Sequence, residues 1–232
     1  MGDSNIEFDL KKEIEIGKFL DKYFYPKLNE IFDTCKIKNF IRVDNMSKQH
    51  RGVDLTLNFE NGKQIDIDEK ASATYFNKNI PTFSLEVFYY KNKNLKEGWL
   101  FGDKYDSTDT YLLIWGWNEQ DKEIFAENIT KLEICSVRKK ALLNDIKRRY
   151  NIDKDNYFDI CYKKMKNLEN KEYDVKNKDY LNGKNGAYWR ISNKVEEKSF
   201  LILYNKYMLK KICQGWFEVT KDDLKIIQSK IH

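Results

Sequence analysis

Residues 53–71 read VDLTLNFENGKQIDIDEKA, and the fold turns on this stretch. Val53 to Phe59 alternates apolar and polar residues, and Gln64 to Ala71 alternates again. A period of two marks a half-buried strand. Asn61-Gly62 lies between the two runs, and Asn-Gly between alternating segments is the strongest short-range hairpin signal. The stretch therefore predicts an antiparallel hairpin. Successive side chains of a strand point to opposite faces. Val53, Leu55 and Leu57 share one face with Ile65, Ile67, Glu69 and Ala71. Asp54, Thr56 and Asn58 share the other with Asp66, Asp68 and Lys70. One face is apolar and one carries carboxylates and an ammonium group.

Upstream, residues 6–34 predict a helix. Ile16, Leu20, Tyr23, Phe24, Leu28 and Ile31 fall on one side at 100° per residue, and Pro26 predicts a kink or restart there. Lys36 to Val43 predicts a strand and residues 44–51 a polar loop. Downstream, Thr82 to Tyr90 and Thr110 to Trp117 predict strands, with a short one at Gly98-Trp99-Leu100. Glu133 to Val137 fits a strand or a helix start, and residues 138–150 a basic helix. Residues 166–186 are rich in Asn and Lys and predict a long loop. Ala187 to Ser192 and Phe200 to Tyr204 predict late strands, and residues 221–230 a final short helix. The expected class is α/β, a central mixed sheet with flanking helices. The core would span residues 1–150, and residues 151–232 would form a C-terminal α+β extension, separate or part of the same domain.

Composition narrows the function classes. The chain has 232 residues, 15% of them aromatic, enough to bury a core and unlike a disordered chain. No apolar run approaches the roughly 18 residues a membrane helix needs, so no membrane association is expected. The N-terminal MGDSNIEFDL lacks a secretory pattern. The four cysteines, Cys35, Cys135, Cys161 and Cys213, form no CxxC and the chain has two histidines, which argues against zinc and for reduced core thiols in the cytoplasm. The net charge is +5, which permits a polyanionic partner without requiring one. No Walker loop, GxGxxG, HExxH or GxSxG occurs, which disfavours nucleotide kinases, dehydrogenases, zinc proteases and serine hydrolases.

Like charges opposed on neighbouring strands repel, and a divalent cation would remove that repulsion at Asp54 and Asp68. Mg²⁺ is commonly held by one or two carboxylates with waters and phosphate oxygens. Lys70, two positions after Asp68, points the same way. Asp54 followed by Asp68-Glu69-Lys70 resembles the PD-(D/E)XK, restriction-endonuclease-like nuclease superfamily over roughly residues 13–90. In that superfamily an acidic residue opens one strand and an acid-x-Lys triplet lies on the next. Two departures stand out: Val53 occupies the place of the Pro, and Asp replaces the commoner Glu in the triplet. The resemblance implies a metal-dependent endonuclease hydrolysing phosphodiester bonds. Asp54 and Asp68 would hold Mg²⁺ or Mn²⁺ with the Glu69 carbonyl, and Lys70 would position or activate the attacking water. DNA is the expected substrate because it is the superfamily's usual one; the residues do not separate it from RNA. A homodimer is also implied, without any interface signal in the sequence. The alternative is a catalytically inactive module of the same fold that binds nucleic acid or protein.

Further candidates surround the motif. Glu13 projects onto the apolar side of the N-terminal helix, where an ionised carboxylate needs a partner or a metal, and many nucleases of the superfamily carry an acid there. Exposure, or pairing with a Lys, is the competing reading. Lys48, Gln49, His50 and Arg51 form a set suited to phosphate contacts, and Ser72 or Gln64 could touch a scissile phosphate. Asp66 and Glu86 are weaker candidates as site acids. From Lys131 to Tyr150 seven basic residues accompany two acidic ones, spread around the helix and not gathered in a stripe.

Overall fold

Alternation in the 53–71 stretch is realised as β2 (Leu55–Phe59) and β3 (Gln64–Ala71), paired antiparallel with Leu55 opposite Ile67 and Asn58 opposite Gln64. The connection is a four-residue loop, longer than a two-residue Asn-Gly turn. Gly62 takes φ +83°, and Asn61 Oδ1 accepts the Lys63 N–H at 3.0 Å. The structure is a computed structural model describing residues 3–31, 36–43, 51–120, 122–169, 178–181, 186–192 and 198–230.

The N-terminal helix α1 (Asp3–Tyr23) ends before Pro26, as expected. A 3-10 turn (Tyr25–Lys27) and a short α2 (Leu28–Ile31) continue the chain. The remaining elements are β1 (Ile37–Arg42), β4 (Thr82–Lys91), β5 (Asn94–Glu97), β6 (Thr110–Asn118), β7 (Ile129–Arg138) and α3 (Lys139–Tyr150). Then come α4 (Tyr157–Glu169), β8 (Asp179–Tyr180), β9 (Tyr188–Ser192), β10 (Ser199–Asn205), α5 (Lys206–Ile212), β11 (Gly215–Val219) and β12 (Leu224–Ser229).

Among the described residues two sheets form. The larger has the order β1-β2-β3-β6-β7-β11-β12 and is mixed, because β3 and β6 run parallel. The smaller has the order β5-β4-β10-β9-β8. Strands from both sides of residue 150 share each sheet. The class is thus α/β, built on a large mixed sheet. Alternation along the central strands feeds two cores. Ile67, Leu112, Ile114 and Ile134 pack with Phe19 and Leu20 of α1 and with Phe24 just past its end. Tyr111, Leu113, Trp115 and Val137 face the opposite way and pack with Leu85, Val87 and Ile202 of the smaller sheet.

Several expectations are corrected. Within residues 221–230, Leu224–Ser229 form an edge strand paired with β11, where a helix was expected; a short run containing Ile226 and Ile227 carries no decisive period. The short strand near Gly98 lies at Asn94–Glu97 instead, pairing with β4. The expected 166–186 loop begins inside α4 and includes β8. Helices α4 and α5 and strand β11 were not anticipated.

Candidate functional site

The site grows out of an irregularity at the head of β2. Past Leu55 the ladder slips: Asp54 N–H donates to the Ile67 carbonyl at 2.9 Å. Asp54 Oδ2 then accepts the Glu69 N–H at 2.7 Å. In a paired strand a residue's N–H and C=O point to the same side, so the Glu69 carbonyl is aimed at this edge too. A side-chain carboxylate replaces the next backbone partner and stands over the acid-x-Lys triplet.

Asp68 is the deepest member, with 0% of its surface exposed. The charged face expected from the hairpin is therefore not an open surface. Its central strand is flanked by β6, and the smaller sheet packs over the Tyr111 side, so Asp68 lies inside. Lys70 Nζ donates to Asp68 Oδ1. Asp68 Oδ2 is buried and has no hydrogen-bond partner. An unsatisfied buried carboxylate oxygen is costly. Gly52 closes over this oxygen at φ +75°; a Cβ there would stand 3.0 Å from Oδ2 and 2.7 Å from the Tyr105 ring. Thr108 Oγ1 fixes that wall by donating to the Gly52 carbonyl at 2.9 Å.

Electrostatics follow from burial. Loss of solvent pushes the Asp68 carboxyl up to about 7; Lys70 opposes the shift and Asp54 adds to it. Burial disfavours the Lys70 ammonium, but Asp68, Asp54 and Glu13 together hold it above the usual lysine range. Lys70 also lies 5.9 Å from the centroid of the buried Trp99 ring.

Glu69 points the other way, toward α1. Arg42 Nη1 donates to Glu69 Oε2 at 2.8 Å and Tyr25 Oη donates to Oε1 at 2.5 Å. Arg42 Nε also donates to both Asp21 oxygens, and Nη2 to the Gly17 carbonyl at 3.0 Å. This network ties α1 to β1 and β3 directly behind the triplet. Burial raises the Glu69 carboxyl while Arg42 and Tyr25 oppose the rise. The sequence reading missed Tyr25, Arg42, Asp21 and Gly52, because none belongs to a motif and each is brought in by tertiary contact.

Glu13 is exposed, in line with the buried strip but a turn before it begins with Ile16, Gly17, Phe19 and Leu20. It lines a groove of about 360 Å³ together with Asp54 and Glu69, and its charge reaches Lys70. Asp66 Oδ1 instead accepts from Thr56 Oγ1 at 2.6 Å, and Gln64 donates to Asn58 at 2.7 Å. Glu86 sits on the smaller sheet and accepts from Ser199 Oγ at 3.0 Å. Ser72 follows β3, its N–H held by the Ile114 carbonyl at 2.9 Å. Arg51 is exposed beside Gly52, whereas Lys48, Gln49 and His50 lie outside the described residues. The basic helix spends much of its charge locally. Arg148 and Arg149 pair with Asp145, Lys147 with Asp153, and the buried Lys139 donates to the Tyr105 carbonyl.

The donor set suits a small hard cation: two carboxylates, one with an orphaned oxygen, a strand-edge carbonyl and an adjacent ammonium. Among the described residues no three His, Cys, Asp or Glu side chains converge on a common point, so water and substrate oxygens would complete the coordination. No described helix is long and apolar enough to cross a membrane. No known protein family, curated protein or solved structure matches the chain.

Proposed function

We propose that this chain is a metal-dependent nuclease of the restriction-endonuclease-like kind, hydrolysing phosphodiester bonds with DNA as the expected substrate. The observation that carries the reading is Asp68: an interior carboxylate with one oxygen on Lys70, the other unpaired, and Asp54 beside it. The order α1, three antiparallel strands and a parallel fourth strand, with the acid heading β2 and the triplet on β3, supports it. Asp54, Asp68 and the Glu69 carbonyl would hold Mg²⁺ or Mn²⁺. When bound, the ion supplies Lewis-acid charge to a phosphodiester and lowers the pKa of a coordinated water.

The chain's own residues supply the rest. Lys70 stays protonated at neutral pH under the pull of Asp68 and Asp54, so it serves as a cation and hydrogen-bond donor, not as a base. It offsets charge developing on phosphate oxygens or orients the attacking water. Glu69, locked by Arg42 and Tyr25, fixes the backbone that carries both neighbours. Glu13 adds a carboxylate to the same groove.

The test is cleavage of supercoiled plasmid, duplex and single-stranded DNA, and RNA, with millimolar Mg²⁺ or Mn²⁺. Cutting that needs metal and is lost in Asp54→Asn and in Lys70→Met is the expected result. No metal-dependent cutting of any of these substrates sinks the enzyme reading. The two-carboxylate donor set among the described residues favours one rival, an inactive module of the same fold. That rival predicts metal-independent binding of nucleic acid without cleavage.

A further inference from the structure

On the face of the large sheet opposite Asp68, a groove of about 500 Å³ lies open beside the α1 core. Its floor is formed by Leu57, Ile67, Leu112 and Phe217, which belong to β2, β3, β6 and β11. It therefore crosses four strand spacings, roughly 19 Å at about 4.8 Å each. Phe24, Leu28, Ala141 of α3 and Ile212 of α5 add further apolar lining. The floor residues are themselves nearly buried in the α1 core, so the groove is a narrow cleft into that core.

The rim is chemically one-sided. Lys63, Arg138 and Lys230 line the groove, and none of its described lining residues is acidic. Among the described residues, Lys63 and Arg138 have no acidic partner. Uncharged donors, Thr110, Ser136 and Gln214, lie between them. An apolar floor gains nothing from a nucleic-acid backbone, and a neutral hydrocarbon gains nothing from the cations. The volume lies within the range of small-molecule sites.

We propose that this groove binds a long-chain carboxylate, with the alkyl chain laid across the strands and the head group held by the basic rim. The site is on the far face of β3 from Asp68 and does not depend on the nuclease reading. Isothermal titration of the full chain, without metal, would use dodecanoate, octanoate, dodecan-1-ol and dodecyltrimethylammonium. Dodecanoate should saturate a single site. Octanoate should bind on the order of a hundredfold more weakly, since each buried methylene is worth a factor of about 4. The alcohol and the ammonium compound should each bind about tenfold more weakly or worse. Joint Lys63→Glu and Arg138→Glu substitution, both on the surface, should cost dodecanoate about tenfold and leave the alcohol unchanged. Methyl resonances of Ile65 and Ile67 should shift on binding. The proposal is overturned by the absence of saturable binding, by an alcohol as tight as the acid, by indifference to charge reversal, or by shifts confined elsewhere. A concentration-dependent dimer that excludes dodecanoate would assign the groove to a second copy of the chain and overturn it equally.

Discussion

Gly52 and Asp68 are in such close apposition that a single added carbon on Gly52 would stand 3.0 Å from the Asp68 oxygen that lacks a partner. The glycine also holds φ +75°, a conformation costing other residues about 1–2 kcal/mol. Gly52→Ala should therefore lower stability by at least about 1 kcal/mol and weaken Mn²⁺ binding, because the new methyl group occupies the space in front of Oδ2. Chemical denaturation and metal titration followed by thermal shift would check this. Unchanged metal affinity would mean that the cation, if bound, approaches from another side.

Asp68 supplies a pH dependence with a definite sign. Its carboxyl sits near 7 in the folded chain because burial disfavours the charge. A carboxyl raised on folding binds its proton more tightly in the native state, so native stability falls as pH climbs from the unfolded value near 4 to 7. Asp68→Asn, which stays neutral, should gain on the wild type across that window, by up to roughly 4 kcal/mol at about 1.4 kcal/mol per pH unit. Urea melts at pH 5 and pH 8 without metal would show it. Metal must displace the same proton, so Mg²⁺ affinity should rise about tenfold per pH unit below 7 and level off above it.

Behind the triplet, Arg42 satisfies two acids at once. Arg42→Ala would strand Glu69, which is nearly buried, and Asp21, which is half-buried. Breaking a buried pair costs about 3–5 kcal/mol, and partial exposure of Arg42 and Asp21 reduces this to about 2–3 kcal/mol. Arg42→Lys should recover little, because one ammonium cannot reproduce a fork that reaches Asp21, Glu69 and the Gly17 carbonyl together. Thermal melts of the two variants test the claim; full recovery by lysine would reduce the network to simple charge.

The hairpin was legible because its information is local: period-two alternation and an Asn-Gly turn name both strands and the faces of Asp54, Asp68 and Lys70. The break at Pro26 was local in the same way. What stayed hidden depends on partners distant in sequence. Asp68 is interior only because β6, more than forty residues later, runs parallel beside β3. Arg42 and Asp21 matter only because α1 packs across β1 and β3. Strand β12 is a strand only because β11 offers an edge. Glu13 shows the limit of helical projection: its angle matches the apolar side, but the helix is buried only from Ile16 onward.

Asp145 provides a contrasting pH signature in the second core. Its buried carboxylate accepts hydrogen bonds from Tyr204, from Arg148 at 2.5 Å and from Arg149 at 2.7 Å. Burial would raise the carboxyl, but the hydroxyl and the two guanidinium groups outweigh it and hold it below the usual aspartate range. A group depressed on folding contributes stability above its unfolded value near 4 and loses it as pH falls through the folded value. Asp145→Asn should therefore destabilise the protein at pH 7 by about 1–3 kcal/mol, the worth of charge-assisted bonds to a buried acceptor. The deficit should shrink toward zero as melts are taken from the unfolded value near 4 down through the depressed folded value. It should also persist in high salt, because the Tyr204 bond is buried and screens poorly. A deficit that vanished with salt at pH 7 would show that only the exposed Arg148 contact carried it.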